Sequence, residues 1–113
     1  MDNISRMDDK QIVRALKALA DPKRFQMCRK LAQSGELSCS QIGEWFPLSQ
    51  PTISHHIKIL HDSGLLAERE DGQRRLVSLN RAFVESLVQM LPQRLAFQAV
   101  RRDARKTLRR RRE

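Results

Sequence analysis

A chain of 113 residues with 40% hydrophobic composition and a formal net charge of +9 fits one globular domain with a single core, and it excludes wholesale disorder. One Trp, four Phe and no Tyr make that core aliphatic, and no apolar run approaches the roughly 18 residues that a membrane span needs. The opening MDNISRMDDK has no basic segment followed by an apolar one, which points to a cytoplasmic protein without a secretory signal.

Residues 8 to 20 are predicted as the first helix, with Ile12, Leu16 and Leu19 in one apolar stripe. Asp21-Pro22 stops it and starts a second, because Asp accepts an orphan N–H and Pro at the first helical position loses no bond. The second helix runs to about Gln33, with Phe25, Cys28, Leu31 and Ala32 on its inner face, and Ser34-Gly35 closes it. Ser38 followed by Gln41 is a capping box for a short third helix, with Cys39, Ile42 and Phe46 on one side and Pro47 ending it. Ser49 caps a fourth helix that reaches about Ser63 before Gly64. LLAERE and RRLVSL around Asp71-Gly72 read as a hairpin. Residues 81 to 91 return to helical spacing, with Val84, Leu87, Val88 and Leu91 on one face. Pro92 kinks or ends that helix, and Leu95, Phe97 and Val100 suggest that it resumes. The whole is mainly α with a small β-hairpin wing, in the order ααααββα, with a domain over 1–100 and an Arg-rich tail over 101–113.

The third and fourth helices are separated only by Pro47 and Leu48, the spacing of a helix-turn-helix. Ile53, Ile57 and Leu60 point inward. His55 lies opposite them, flanked by Thr52 and His56 on one side and by Ser54 and Lys58 on the other. Ser49, Gln50 and Thr52 sit at the start of the helix, where base edges and phosphates are met. Arg69 on one strand and Gln73, Arg74 and Arg75 at the tip suit a phosphate backbone or a narrow minor groove.

The run ALADPKR, then GELS, then LSQPTISHHIKILHDSGLLAEREDGQRRLVSLN resembles the ArsR/SmtB-type winged helix-turn-helix repressors over about residues 15 to 80. The resemblance implies a homodimer built from the first and last helices. It places recognition helices in successive major grooves of an inverted repeat in double-stranded DNA, and it implies repression that an inducer relieves. Carried over residue by residue, it assigns DNA contact to Ser49, Gln50, Thr52, Ser54, His55 and His56, with wing support near Arg74 and Arg75. The family's arsenic and heavy-metal sensors carry a Glu-Leu-Cys-Val-Cys-Asp type motif. This chain reads Glu36-Leu37-Ser38-Cys39-Ser40-Gln41, so both thiolate positions are Ser, and His61 is its last His. No metal, cofactor or membrane partner is expected, and the sequence identifies no inducer.

Cys28 and Cys39 fall on inward faces, where packing is favoured over redox sensing. His55 and His56 are adjacent and point about 100° apart, with no His four residues on, so they make no metal pair. The Val84–Leu91 stripe is core or a dimer seam. A domain this small has little core left for it, so the seam is favoured. Residues 93 to 113 hold nine Arg or Lys against Asp103 and Glu113, a net of +7, and they serve either as phosphate contacts or as a solvated end. Nothing arranges a catalytic triad or a phosphate-cradling loop, so no enzyme is expected. Two further readings are a winged-helix protein-interaction module and a non-specific nucleic-acid-binding protein. The first would expose apolar anchors where this helix presents Gln, Thr, Ser, His and Lys.

Overall fold

Short polar side chains start every long helix in the computed structural model, which describes residues 7–96. Asp8 and Gln11 form a capping box at the head of α1 (Asp9–Leu19), with Asp8 Oδ1 accepting the Gln11 N–H at 2.8 Å. Asp21 caps α2 (Pro22–Ser34) by accepting the Arg24 N–H at 3.0 Å, with Pro22 as the first helical residue. Ser38 and Gln41 form the second capping box, on α3 (Cys39–Trp45). Ser49 heads α4 (Gln50–Asp62), and Asn80 heads α5 (Arg81–Arg94). Each cap satisfies a backbone donor that the helix leaves unpaired, which contributes about 1 kcal/mol.

The element order is α1, α2, β1 (Leu37–Ser38), α3, α4, β2 (Leu66–Asp71), β3 (Arg74–Leu79), α5. The expected hairpin is present, and β1 adds a third strand to it. The antiparallel sheet runs β1-β3-β2, with Leu37 opposite Val77 and Ser38 opposite Leu76. A two-residue strand has no period to read, so it is invisible to pattern. The hairpin turn itself is Gly72-Gln73, closed by Asp71 opposite Arg74. Gly72 takes φ +65° while Gln73 does not take a positive φ, the type II′ pattern that matches the twist of paired strands.

The core gathers Ile12, Ala15 and Ala18 from α1, Met27, Cys28 and Leu31 from α2, the α4 stripe, Leu65, Leu66 and Val77 from the hairpin, and Phe83 and Leu87 from α5. Three expected faces shift. In α1 the small Ala15 and Ala18 allow close approach to neighbouring helices and take the inner positions, leaving Leu16 40% exposed. In α2 Met27 replaces Phe25, which is 47% exposed beneath the Arg29 guanidinium at 5.1 Å from its ring. In α5 Leu87 belongs to the core with Phe83, while Val88 is 62% exposed. The helix continues through Pro92 to Arg94, so Pro92 does not end it. Its end is tied to α1, with Arg94 paired to Asp9 at 2.8 Å and donating to the Met7 carbonyl. Phe97, Val100 and the Arg-rich tail lie outside the described residues.

Gly64 links α4 to β2 at φ +95°, and a Cβ there would lie 2.7 Å from Cε1 of the buried Phe83 ring. Gly64→Ala should therefore cost about 2–4 kcal/mol, combining left-handed strain with overpacking. Denaturant unfolding measures this. A midpoint equal to wild type would mean that the α4–α5 junction is looser than this packing.

Candidate nucleic-acid interface

Burial fixes which side of α4 faces water. Ile53 and Leu60 are 0% exposed and Ile57 is 4%, one stripe at i, i+4, i+7. The turn before it is tight, because the Leu48 N–H donates to the Phe46 carbonyl at 2.8 Å and both side chains pack toward the core. α3 meets α4 across Gly43, where a Cβ would lie 3.5 Å from Cδ1 of Ile53. Away from the stripe, Thr52, Ser54, His55 and Lys58 are exposed, as is Gln50 in the first turn.

The nine residues singled out in the sequence differ in what already holds them. Ser49 accepts the Thr52 N–H at 3.3 Å, and its hydroxyl meets that of Thr52 at 2.8 Å, so this pair builds the helix start. The Gln50 amide folds over Gly43, where a Cβ would come within 2.4 Å of its Nε2, so it lies back on α3. His55 and Ser54 stand exposed on the outer face. His56 departs from the expected display: it is half-buried, and its Nδ1 lies 3.4 Å from Nη1 of Arg24. Lys58 pairs with Asp62 one turn on at 3.1 Å and holds that carboxyl below its ordinary range.

On the wing, Arg74 makes only a long contact, 3.5 Å to Oε1 of Gln41. Arg75 Nε lies 3.3 Å from Glu68, whose other oxygen faces His61 at 3.5 Å. Arg69 is engaged within the protein. It grips Glu36 with two bonds of 2.7 and 2.8 Å, which fasten β2 to the turn before β1. The paired carboxyl falls below its ordinary value and the guanidinium rises above its own. Neither the Arg69–Glu36 bridge nor the Arg24–His56 contact was legible in sequence, since the partners lie 33 and 32 positions apart.

A family model for bacterial regulatory proteins of the arsR family matches residues 21–68, from the α2 cap into β2. The arsenical resistance operon repressor of Staphylococcus xylosus is 38% identical over 85 residues, spanning 75% of this chain and 81% of that protein. The chain belongs to the ArsR family of bacterial regulatory proteins. Among solved structures, an ArsR-like transcriptional regulator from Rhodococcus sp. RHA1 shares the fold, with a TM-score of 0.73 at 21% identity over 88% of this chain and 92% of that one. The homodimeric winged helix-turn-helix DNA-binding domain of a Mycobacterium bovis protein aligns with a TM-score of 0.63 at 25% identity, over 81% of this chain and 89% of that one.

In this ArsR-family chain the segment that resembles the metal-sensing motif does not fit a metal. The Ser38 hydroxyl is buried and accepts the Gln41 N–H at 3.2 Å, so it is spent on the α3 cap. Ser40 is exposed, and Cys39 stands between the two as a single thiol. Burial pushes the Cys28 thiol up to about 11. Cys39 is raised as well, by burial first and then by Glu68, against the pull of Arg75. A thiol kept protonated is a poor nucleophile. Both cysteines should therefore react with iodoacetamide at pH 7.5 at least about tenfold more slowly in the native chain than in the unfolded one. Mass spectrometry of timed samples counts the adducts. Rapid native labelling of Cys39 would show a thiol primed for redox chemistry.

Proposed function

We propose that this ArsR-family chain is a homodimeric, sequence-specific DNA-binding repressor that inserts α4 into the major groove and lays the β2–β3 wing along the backbone. The observation that carries the reading is the division of α4 into a fully buried aliphatic stripe and an outer face of Thr52, Ser54, His55 and Lys58, with Gln50 exposed in the first turn. Short hydrogen-bonding side chains suit base edges, and the outer face offers no aliphatic or aromatic anchor for a protein partner. In this reading Ser49 and Thr52 present the helix start to a phosphate, Ser54 and His55 face bases, and Gln50 meets a base only when its amide swings off Gly43. Lys58, Arg74 and Arg75 meet phosphates. Arg75 leaves Glu68 when it does so. No catalytic role is assigned, and the protein works in the cytoplasm; among the described residues no helix is long and apolar enough to cross a membrane.

The dimer reading rests on aliphatic residues that a lone protomer leaves in water. Val13 and Leu16 on α1, Val88 on α5 and Leu95 just past its end are exposed, and Val84 and Leu91 are only half-covered. The two helices are joined through Arg94 and Asp9. Two such protomers, related by a two-fold axis through α1 and α5, read an inverted repeat. The similar Mycobacterium bovis domain is itself homodimeric.

Three variants test the account. His55→Ala should lose about 1–3 kcal/mol of operator affinity and relax discrimination at one base pair. Arg74→Ala should weaken binding to every sequence alike and lower the salt slope by about 1. Val88→Glu should turn a sedimenting dimer into a monomer at micromolar concentration, because the seam would bury a charge. Wild-type binding by both DNA-face variants would reject the face assignment, and a dimeric Val88→Glu protein would reject the seam.

A further inference from the structure

Arg24 joins three helices with one side chain. Its own N–H is capped by Asp21, which starts α2. Its Nε donates to the Ala18 carbonyl at 2.7 Å and its Nη2 reaches the Lys17 carbonyl at 3.5 Å, both in the last turn of α1. There the helix dipole favours a cation, and the Lys17 carbonyl also accepts the Ala20 N–H at 3.3 Å. The remaining arm, Nη1, points 3.4 Å from Nδ1 of His56 on α4. A guanidinium only donates, so a hydrogen bond here requires His56 Nδ1 as the acceptor, which is the neutral ring with its proton on Nε2.

We propose that Arg24 is a positioning residue for the recognition helix, and that His56 is the receiver of that joint rather than a reader of bases. The inference rests on the DNA-binding reading of α4. The α4 stripe prevents the helix from rolling, while the Arg24–His56 contact ties its outer shoulder to the α1–α2 corner. α1 also bears the exposed Val13 and Leu16 of the proposed seam, so the joint lies between the dimer contact and the DNA face. Arg24 itself spends three of its five donors on two backbone carbonyls and His56, so the proposal assigns it no phosphate.

The charges around His56 agree with this geometry. Burial disfavours the imidazolium first. Asp21 attracts it, while Arg24 and His55 repel it, and the pKa falls below the ordinary 6.5. With the folded value lowered, the unfolded chain binds more protons in the interval between the two values. The stability from neutral His56 is therefore present above pH 6.5 and is lost as the pH falls through the lowered folded value.

The experiment has one arm without DNA and one with it. Nitrogen-15 NMR of labelled histidine in the intact chain should show His56 as the Nε2–H tautomer, titrating below the ordinary 6.5, with its midpoint raised in Arg24→Gln. A His56 that carries its proton on Nδ1, or a midpoint unmoved in Arg24→Gln, overturns the joint itself. The second arm uses a duplex that the wild-type chain selects from a random pool. Arg24→Gln and His56→Ala should each weaken binding about tenfold, and the double variant no more than either single one, since residues in one network do not add. The salt slope should stay within about half a unit of wild type, because no phosphate contact is removed. His56→Gln, which restores an acceptor, should bind within about threefold of wild type, and it keeps the test alive if Arg24→Gln does not fold. Wild-type affinity in the folded single variants, additive losses, or a slope lower by about 1 overturns the positioning role and leaves the DNA reading standing. A wild-type chain that selects no duplex overturns both.

Discussion

The burial of Ile53, Ile57 and Leu60 is the constraint on which the rest depends. Each of these side chains contributes about 1.5–3 kcal/mol by leaving water, and together they lock the rotation of α4 about its own axis. A roll of one residue would bring Ser54 and Lys58 against the core and lift the aliphatic stripe into solvent. Neighbouring features serve that seating. Gly43 lets α3 approach, the Phe46–Leu48 turn fixes the entry angle, and Gly64 lets the chain turn away beneath Phe83. The outward display of His55 and its neighbours is thus a consequence of apolar packing.

The wing shows why counting charges overstates what a surface offers. Arg69, Arg74 and Arg75 lie within seven positions of one another, yet only Arg74 is loosely held. Arg69 is committed to Glu36, and Arg75 shares Glu68 with His61. Exposed pairs of this kind add little to stability, so their importance is geometric: they set where the hairpin stands. A phosphate that takes Arg75 must compete with Glu68, which makes part of the DNA-binding energy an exchange of partners.

Local signals in the chain were read well because they are local. Asp21-Pro22, the Ser38–Gln41 box and the Ser49 cap depend on residues three apart, and the α4 stripe on residues four apart. The hairpin was legible from its turn residues, although the loop is Gly72-Gln73 rather than Asp71-Gly72. Faces were read less well where small residues decide them. Ala15 and Ala18 carry little hydrophobic weight in a periodicity, yet their size makes α1 fit, and the bulkier Leu16 and Phe25 are turned outward. Of the candidate site, the polar face of α4 was legible as a pattern. The engagements of His56, Gln50 and Arg69 were not, since each is made with a residue on another element.

The central claim is that α4 reads a DNA sequence. Fluorescence anisotropy at one fixed, near-physiological salt concentration decides it, comparing the duplex selected by the full chain with a scrambled duplex of the same composition. The account predicts a preference of about a thousandfold or more, with two chains bound per selected duplex. Equal affinity for both duplexes, with a steep salt dependence, would contradict it and assign the binding to charge alone.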